Sequence, residues 1–150
     1  MRPFHCCLIV AALTLPGELA HTDPAVPSLL RGRFVDDYGI VHVITDTSWS
    51  LGQRDRYSIV VSNDSAQYLL ARNDSANTAE PGKWTRIDWI MLPDMAPYEW
   101  AFCLIEYQGE TKAVAEANRS ADRGHPRTGC NGFPFSRMRR AAPDSAQRGY

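Results

Sequence analysis

No stretch of this chain approaches the roughly 20 consecutive apolar residues that a membrane-spanning helix needs. The longest apolar stretch, residues 6–15, is half that length, so no helical span is expected. Cysteine is scarce: Cys6 and Cys7 lie in that early stretch, and only Cys103 and Cys130 follow. The spacing excludes a Cys-x-x-Cys redox or zinc motif. Neither sign of charge dominates, with 16 Lys and Arg against 17 Asp and Glu, which argues against a dedicated nucleic-acid binder or a polybasic membrane sensor. Gly-x-Ser-x-Gly, His-Glu-x-x-His and glycine-rich phosphate loops are also missing. No catalytic residues, metal site or cofactor can be assigned on motif grounds.

What is present begins with an export pattern. Arg2 precedes the apolar stretch, and Pro16-Gly17 and Glu18-Leu19-Ala20 follow it, the layout of a secretory signal peptide. Residues 1–20 are read as that signal, which places the mature protein outside the cytoplasm, secreted or periplasmic. About 130 residues remain, enough for one domain with a single core. Residues 21–28 and 141–150 have the composition of disordered ends, leaving residues 29–140 as the domain. In an oxidising compartment Cys103 and Cys130 are expected to pair, a metal or redox role being the alternative. The chain-entropy model gives such a bond about 3 to 4 kcal/mol for the 26 residues it encloses.

Long helical periodicity is absent from the body. Instead, turn signals recur about every ten residues between short runs rich in β-branched and aromatic side chains. Strands are expected over residues 30–35, 40–45, 57–62, 67–72, 83–92 and 98–107, with Trp49 in a polar loop or a short strand. Asp36-Asp37-Tyr38-Gly39 is a turn. Asn63-Asp64-Ser65-Ala66 and Asn73-Asp74-Ser75-Ala76 repeat ten residues apart and bracket one strand. They contain two of three Asn-x-Ser acceptors, Asn118 being the third, all expected to be exposed. Alternation in the two long aromatic strands leaves both faces largely apolar, which calls for a closed barrel or a sheet covered by the tail. Residues 111–123 read as an alanine-rich helix capped by Thr111, with Val114, Ala117 and Ala121 as its apolar stripe. The fold class is therefore mainly β, an up-and-down antiparallel meander closing into a small barrel, with one C-terminal helix and a disulfide-pinned segment after it.

This order of elements resembles the calycin group, the lipocalins and their relatives. Gly32-Arg33-Phe34 stands where that group has Gly-x-Trp opening the first strand, and Arg137, Arg139 or Arg140 is placed to supply its late arginine. The resemblance implies a barrel that binds a small, partly apolar molecule. Segments around Trp84-Thr85-Arg86-Ile87-Asp88-Trp89 and residues 129–138 are also similar to ones in exported bacterial proteins of no assigned activity.

Three functional surfaces are expected. A ligand site in the barrel mouth would use Arg86 and Asp88 to orient a polar group beside Trp84, Trp100 and Tyr57; an ordinary ion pair on the rim or outer face is the alternative for Arg86 and Asp88. An enzyme reading adds a histidine, His42 or His125, to that pair. A third surface is the basic C-terminal part: from Asn118 onward seven arginines face two aspartates, while residues 21–117 carry fourteen acids against eight bases. There Phe133, Phe135, Arg137 and Arg139 would form a lid or a patch for a protein partner. The plainer reading docks these bases on the acidic body.

Overall fold

The computed structural model describes residues 25–142; the signal expected over residues 1–20 lies outside them. Eight strands follow one another around a closed antiparallel barrel: β1 (Gly32–Val35), β2 (Val41–Ile44), β3 (Ser48–Leu51), β4 (Asp55–Asn63), β5 (Tyr68–Asn73), β6 (Trp84–Met91), β7 (Tyr98–Gly109) and β8 (Ser136–Arg140). A 3-10 turn (Ser28–Leu30) precedes β1, and a short helix, α1 (Lys112–Ala117), lies between β7 and β8. The expected up-and-down meander thus closes into an eight-stranded antiparallel barrel, an architecture consistent with the calycin resemblance.

Closure depends on β8, which pairs with β7 on one side and β1 on the other. This corrects the lid expected after Cys130: residues 136–140 are part of the wall, and Met138 is fully buried in the barrel core. The segment expected to be disordered before residue 29 is also partly core, with Val26 buried against the barrel interior. The helix is shorter than expected. Thr111 does cap it, accepting a hydrogen bond from the Val114 amide at 3.2 Å, but Ala115 is the residue it buries, while Val114 is half exposed.

The interior is one apolar cluster in which Phe34, Trp49, Trp89, Trp100, Phe102 and Met138 meet. Edge-to-face aromatic contacts link Phe34 to Trp100 at 5.2 Å and Trp49 to Phe102 at 5.1 Å, the offset geometry that ring quadrupoles favour. A second layer lies outside the wall. Residues 111–135 fold back over β5, β6 and β7, burying Tyr68 and Leu70 under Ala115, and Ile90, Ala101 and Ile105 with Phe135. A bulge between Ile59 and Val61 feeds this layer. One extra residue reverses which way side chains point, so Ile59 faces the interior and Val61 the outer layer. The Cys103–Cys130 disulfide, with Cα atoms 5.5 Å apart, ties the covering segment to β7.

At one end of the barrel Arg140 closes the seam. Its guanidinium carbon stands 4.3 Å over the Phe34 ring, Nη1 donates to the Arg31 carbonyl at 2.8 Å, Nη2 donates to the Leu29 carbonyl at 3.2 Å, and Nε pairs with Glu99. Gly32 makes room for it: at φ 127° a Cβ there would stand 2.6 Å from Arg140 Nη1. Of Arg137, Arg139 and Arg140, it is Arg140 that packs across Phe34 of the first strand.

Candidate functional site

The five residues expected to share a ligand site lie on opposite sides of the barrel wall. Trp100 and Tyr57 point into the packed interior. Burial, with Asp55 beside it, pushes the Tyr57 phenol up to about 12. Trp84, Arg86 and Asp88 point outward, under α1 and the segment that follows it. The barrel-mouth site is therefore not assembled, and neither is the enzyme reading that joined this pair to a histidine. His42 is sealed inside against Trp49 and Phe102, while His125 sits on the exposed return segment, paired with Asp122.

His42 is instead part of a structural chain. The Trp49 indole donates to Nδ1 at 3.0 Å, so Nδ1 must be the unprotonated nitrogen, and Nε2 donates to Asp36 Oδ2 at 3.1 Å. Asp36 Oδ1 in turn accepts from the Tyr38 and Ile40 amides, which fixes the β1–β2 turn. Burial pulls the His42 pKa below its ordinary value despite the opposing effect of Asp36. The indole N–H groups of Trp89 and Trp100 have no hydrogen-bond partner in the interior.

On the outer wall Arg86 and Asp88 form a buried pair, both nitrogen-to-oxygen contacts lying at 2.7 and 3.1 Å. Arg86 is held on every side: it stacks 4.0 Å from the Tyr68 ring, and its Nη1 donates to the Glu116 carbonyl at 2.8 Å. Arg123 arrives from the return segment to pair with Asp88 and to cap the Ala66 and Gln67 carbonyls. These contacts explain why α1 sits where it does.

An apolar groove of about 440 Å³ lies on the outer wall. The β1–β2 turn supplies Asp37 and Tyr38, the β6–β7 connection supplies Leu92 and Met95, and the return segment supplies Pro126, Arg127 and Pro134. Phe135 forms its buried floor. On its flank Arg137 is held by Asp37 at 2.9 Å and stacks on the Tyr98 ring at 4.3 Å. Of the four residues expected to face a partner, Phe133 is 72% exposed and Phe135 is 2% exposed. Arg137 lines the groove, and Arg139 is a half-buried residue of β8 outside its lining. Tyr38, Met95 and Arg127 were not anticipated. The available signal was an aromatic side chain at the tip of an otherwise polar Asp-Asp-x-Gly turn.

In two of the three Asn-x-Ser acceptors the side-chain amide nitrogen is engaged in the fold. Asn73 is buried, its amide donating to the Glu80 and Tyr107 carbonyls, and the Asn118 amide donates to the Ile105 carbonyl. Comparison with protein-family models, with curated proteins and with solved structures returns no match to this chain.

Proposed function

We propose that this protein is an exported binding module that recognises a partner on its outer wall, and that the groove between the β1–β2 turn and the return segment takes an apolar, acid-bearing segment of a partner protein. The observation that carries this reading is the contrast in aromatic placement. The interior rings are buried, whereas Tyr38 in the groove is 77% exposed and Phe133, next in the chain to the lining residue Pro134, is 72% exposed. Aromatic, Met and Arg side chains are the types enriched at interfaces. Arg127 makes no ion pair among the described residues, and a partner carboxylate would satisfy it. Export is supported by the disulfide, a bond of oxidising compartments, and by the signal-like residues 1–20. Among the described residues no helix is long and apolar enough to cross a membrane.

A small, partly apolar ligand is the second reading, favoured by the groove volume, which falls within the range of about 300–1,000 Å³ typical of small-molecule sites. It moves the expected ligand from the barrel interior to the outside. Two measurements separate the readings. In cross-linking capture from the extracytoplasmic fraction of the host, the wild type and Arg119→Ala should retain the same partner protein, and a Tyr38→Ala/Phe133→Ser double variant should lose it. Unchanged capture by the double variant sinks the groove. Native mass spectrometry of the host-purified protein should show the bare chain mass; an added small-molecule mass, lost on Tyr38→Ala, would establish the second reading instead.

A further inference from the structure

On the outer wall, a second cleft of about 390 Å³ lies where the return segment crosses β5 and β6, lined by Asn63, Tyr68, Arg86, Asp88, Arg119 and Arg123 among others. We propose that it is an anion site for a phosphate or sulfate group. The inference is independent of the groove.

Charge is the first argument. Three guanidinium groups converge on the cleft, and the single carboxylate among its lining residues is Asp88. Both Asp88 oxygens are already occupied, Oδ2 by Arg86 Nε and Oδ1 by Arg86 Nη2 and Arg123 Nη2. Glu116, the next acid, accepts from the Tyr68 hydroxyl at 3.0 Å and keeps its charge, so three guanidinium groups stand against two carboxylates. The cleft is left with uncompensated positive charge next to a wall of low dielectric, where charge attraction is strengthened.

Unused donors are the second argument. Arg123 Nε is buried and has no hydrogen-bond partner, a condition that folded proteins rarely leave unsatisfied. Arg119 makes no ion pair or side-chain hydrogen bond among the described residues. The Asn63 side-chain oxygen accepts from the Ala66 amide and the Ser65 hydroxyl, so its amide nitrogen remains available as a donor. Donors thus outnumber free acceptors around the opening.

Rigidity is the third. Arg86 is immobilised by Asp88, the Tyr68 ring and the Glu116 carbonyl, and Arg123 is fixed by two backbone carbonyls. A fixed fork of guanidinium donors matches the oxygens of a tetrahedral anion. Because these contacts hold without a ligand, Arg86 and Arg123 need no ordering on binding, and the exposed Arg119 side chain is what remains to be fixed.

The test is an NMR titration of the oxidised protein at low ionic strength with inorganic phosphate, inorganic sulfate and glucose 6-sulfate, with chloride-matched blanks. Saturable shifts at Asn63, Arg119 and Arg123 are expected, with the affinity reduced about tenfold in Arg119→Ala and unchanged in Arg127→Ala. Because Arg119 is exposed, its removal leaves the fold intact, and the far-ultraviolet circular dichroism should confirm this. Saturation by the inorganic ions supports a free anion as the natural ligand, and saturation by the sugar sulfate alone supports a group carried on a larger molecule. Saturation by none of the three, or equal weakening by Arg119→Ala and Arg127→Ala, overturns the proposal.

Discussion

Strand β6 buries its two faces by different chemistry. Inward, Ile87 and Trp89 join a cluster of rings and aliphatic groups in which contact area does the stabilising. Outward, Arg86 and Asp88 are equally hidden, at 4% and 1% exposure, yet they are stabilised by charge, by stacking on Tyr68 and by the backbone carbonyl of Glu116, 30 residues later in the chain than Arg86. An apolar face tolerates any neighbour of suitable shape. A charged face specifies one, because a buried ion left without its partner is heavily penalised. The interior therefore sets how stable the barrel is, and the outer wall sets where residues 111–135 must lie.

The largest expected effect comes from breaking the inner face. Trp100→Ala removes a side chain with no exposed surface from the centre of the aromatic cluster and should cost about 3 to 5 kcal/mol. Urea denaturation should show the barrel and its cover unfolding together. A loss below about 1 kcal/mol would mean that the interior relaxes around the hole.

Releasing the outer layer should be milder and more local. Cys130→Ser removes a cross-link between residues 27 apart, and a loss of about 3 kcal/mol is expected. By hydrogen exchange, amides over residues 111–135 should lose protection well before those of β2 to β7. Strand β8 should stay with the barrel, because Met138 and Arg140 anchor it independently of the disulfide. Uniform loss of protection would show that cover and barrel form a single cooperative unit.

The smallest effect is set by pH and tests the Asp36–His42–Trp49 chain inside the barrel. His42 is neutral in the fold and its pKa is lowered from 6.5 by burial. The unfolded chain therefore binds a proton that the folded chain refuses once the pH falls below about 6.5. The contribution of His42 is fully present above that value and declines as the pH drops toward the lowered folded pKa. Denaturant midpoints between pH 8 and pH 5 should fall less in His42→Gln than in the wild type. An identical fall in both would place the pH dependence on other groups.

The same contrast explains what could be read from the sequence. The strands β6 and β7, their adjacency, the disulfide and the Asp36–Gly39 turn were legible because alternation and turn chemistry are local. Alternation also sorted Ile87 and Trp89 from Arg86 and Asp88 correctly. It could not say which set faced inward, since the outer face is covered as well and both sets end up hidden. Strand β8 was missed because three of its five residues are arginines, and only Met138 carries a core signal. Its extended form is fixed by long-range partners, Asp37 for Arg137 and the Phe34 ring for Arg140. The repeated Asn-Asp-Ser-Ala tetrads make the point most directly. The first Asn63 closes an exposed turn through its own neighbours. The second, Asn73, is buried and accepts from the Thr85 hydroxyl at 2.6 Å on the next strand. Identical local sequence yields two roles because the surroundings differ.

The pairing of β1 with β8 has a consequence for the order in which the fold can be completed. Val35 and Arg139 are neighbours in space but are made about a hundred residues apart. A chain emerging from a ribosome or crossing a membrane amino end first must keep the hydrogen-bonding edge of β1 open until almost everything else has appeared. Throughout that interval the edge is available to other chains. The arginine that finally locks the seam arrives with the closing strand itself, so the same residue that finishes the barrel ends its period of greatest exposure to misassembly.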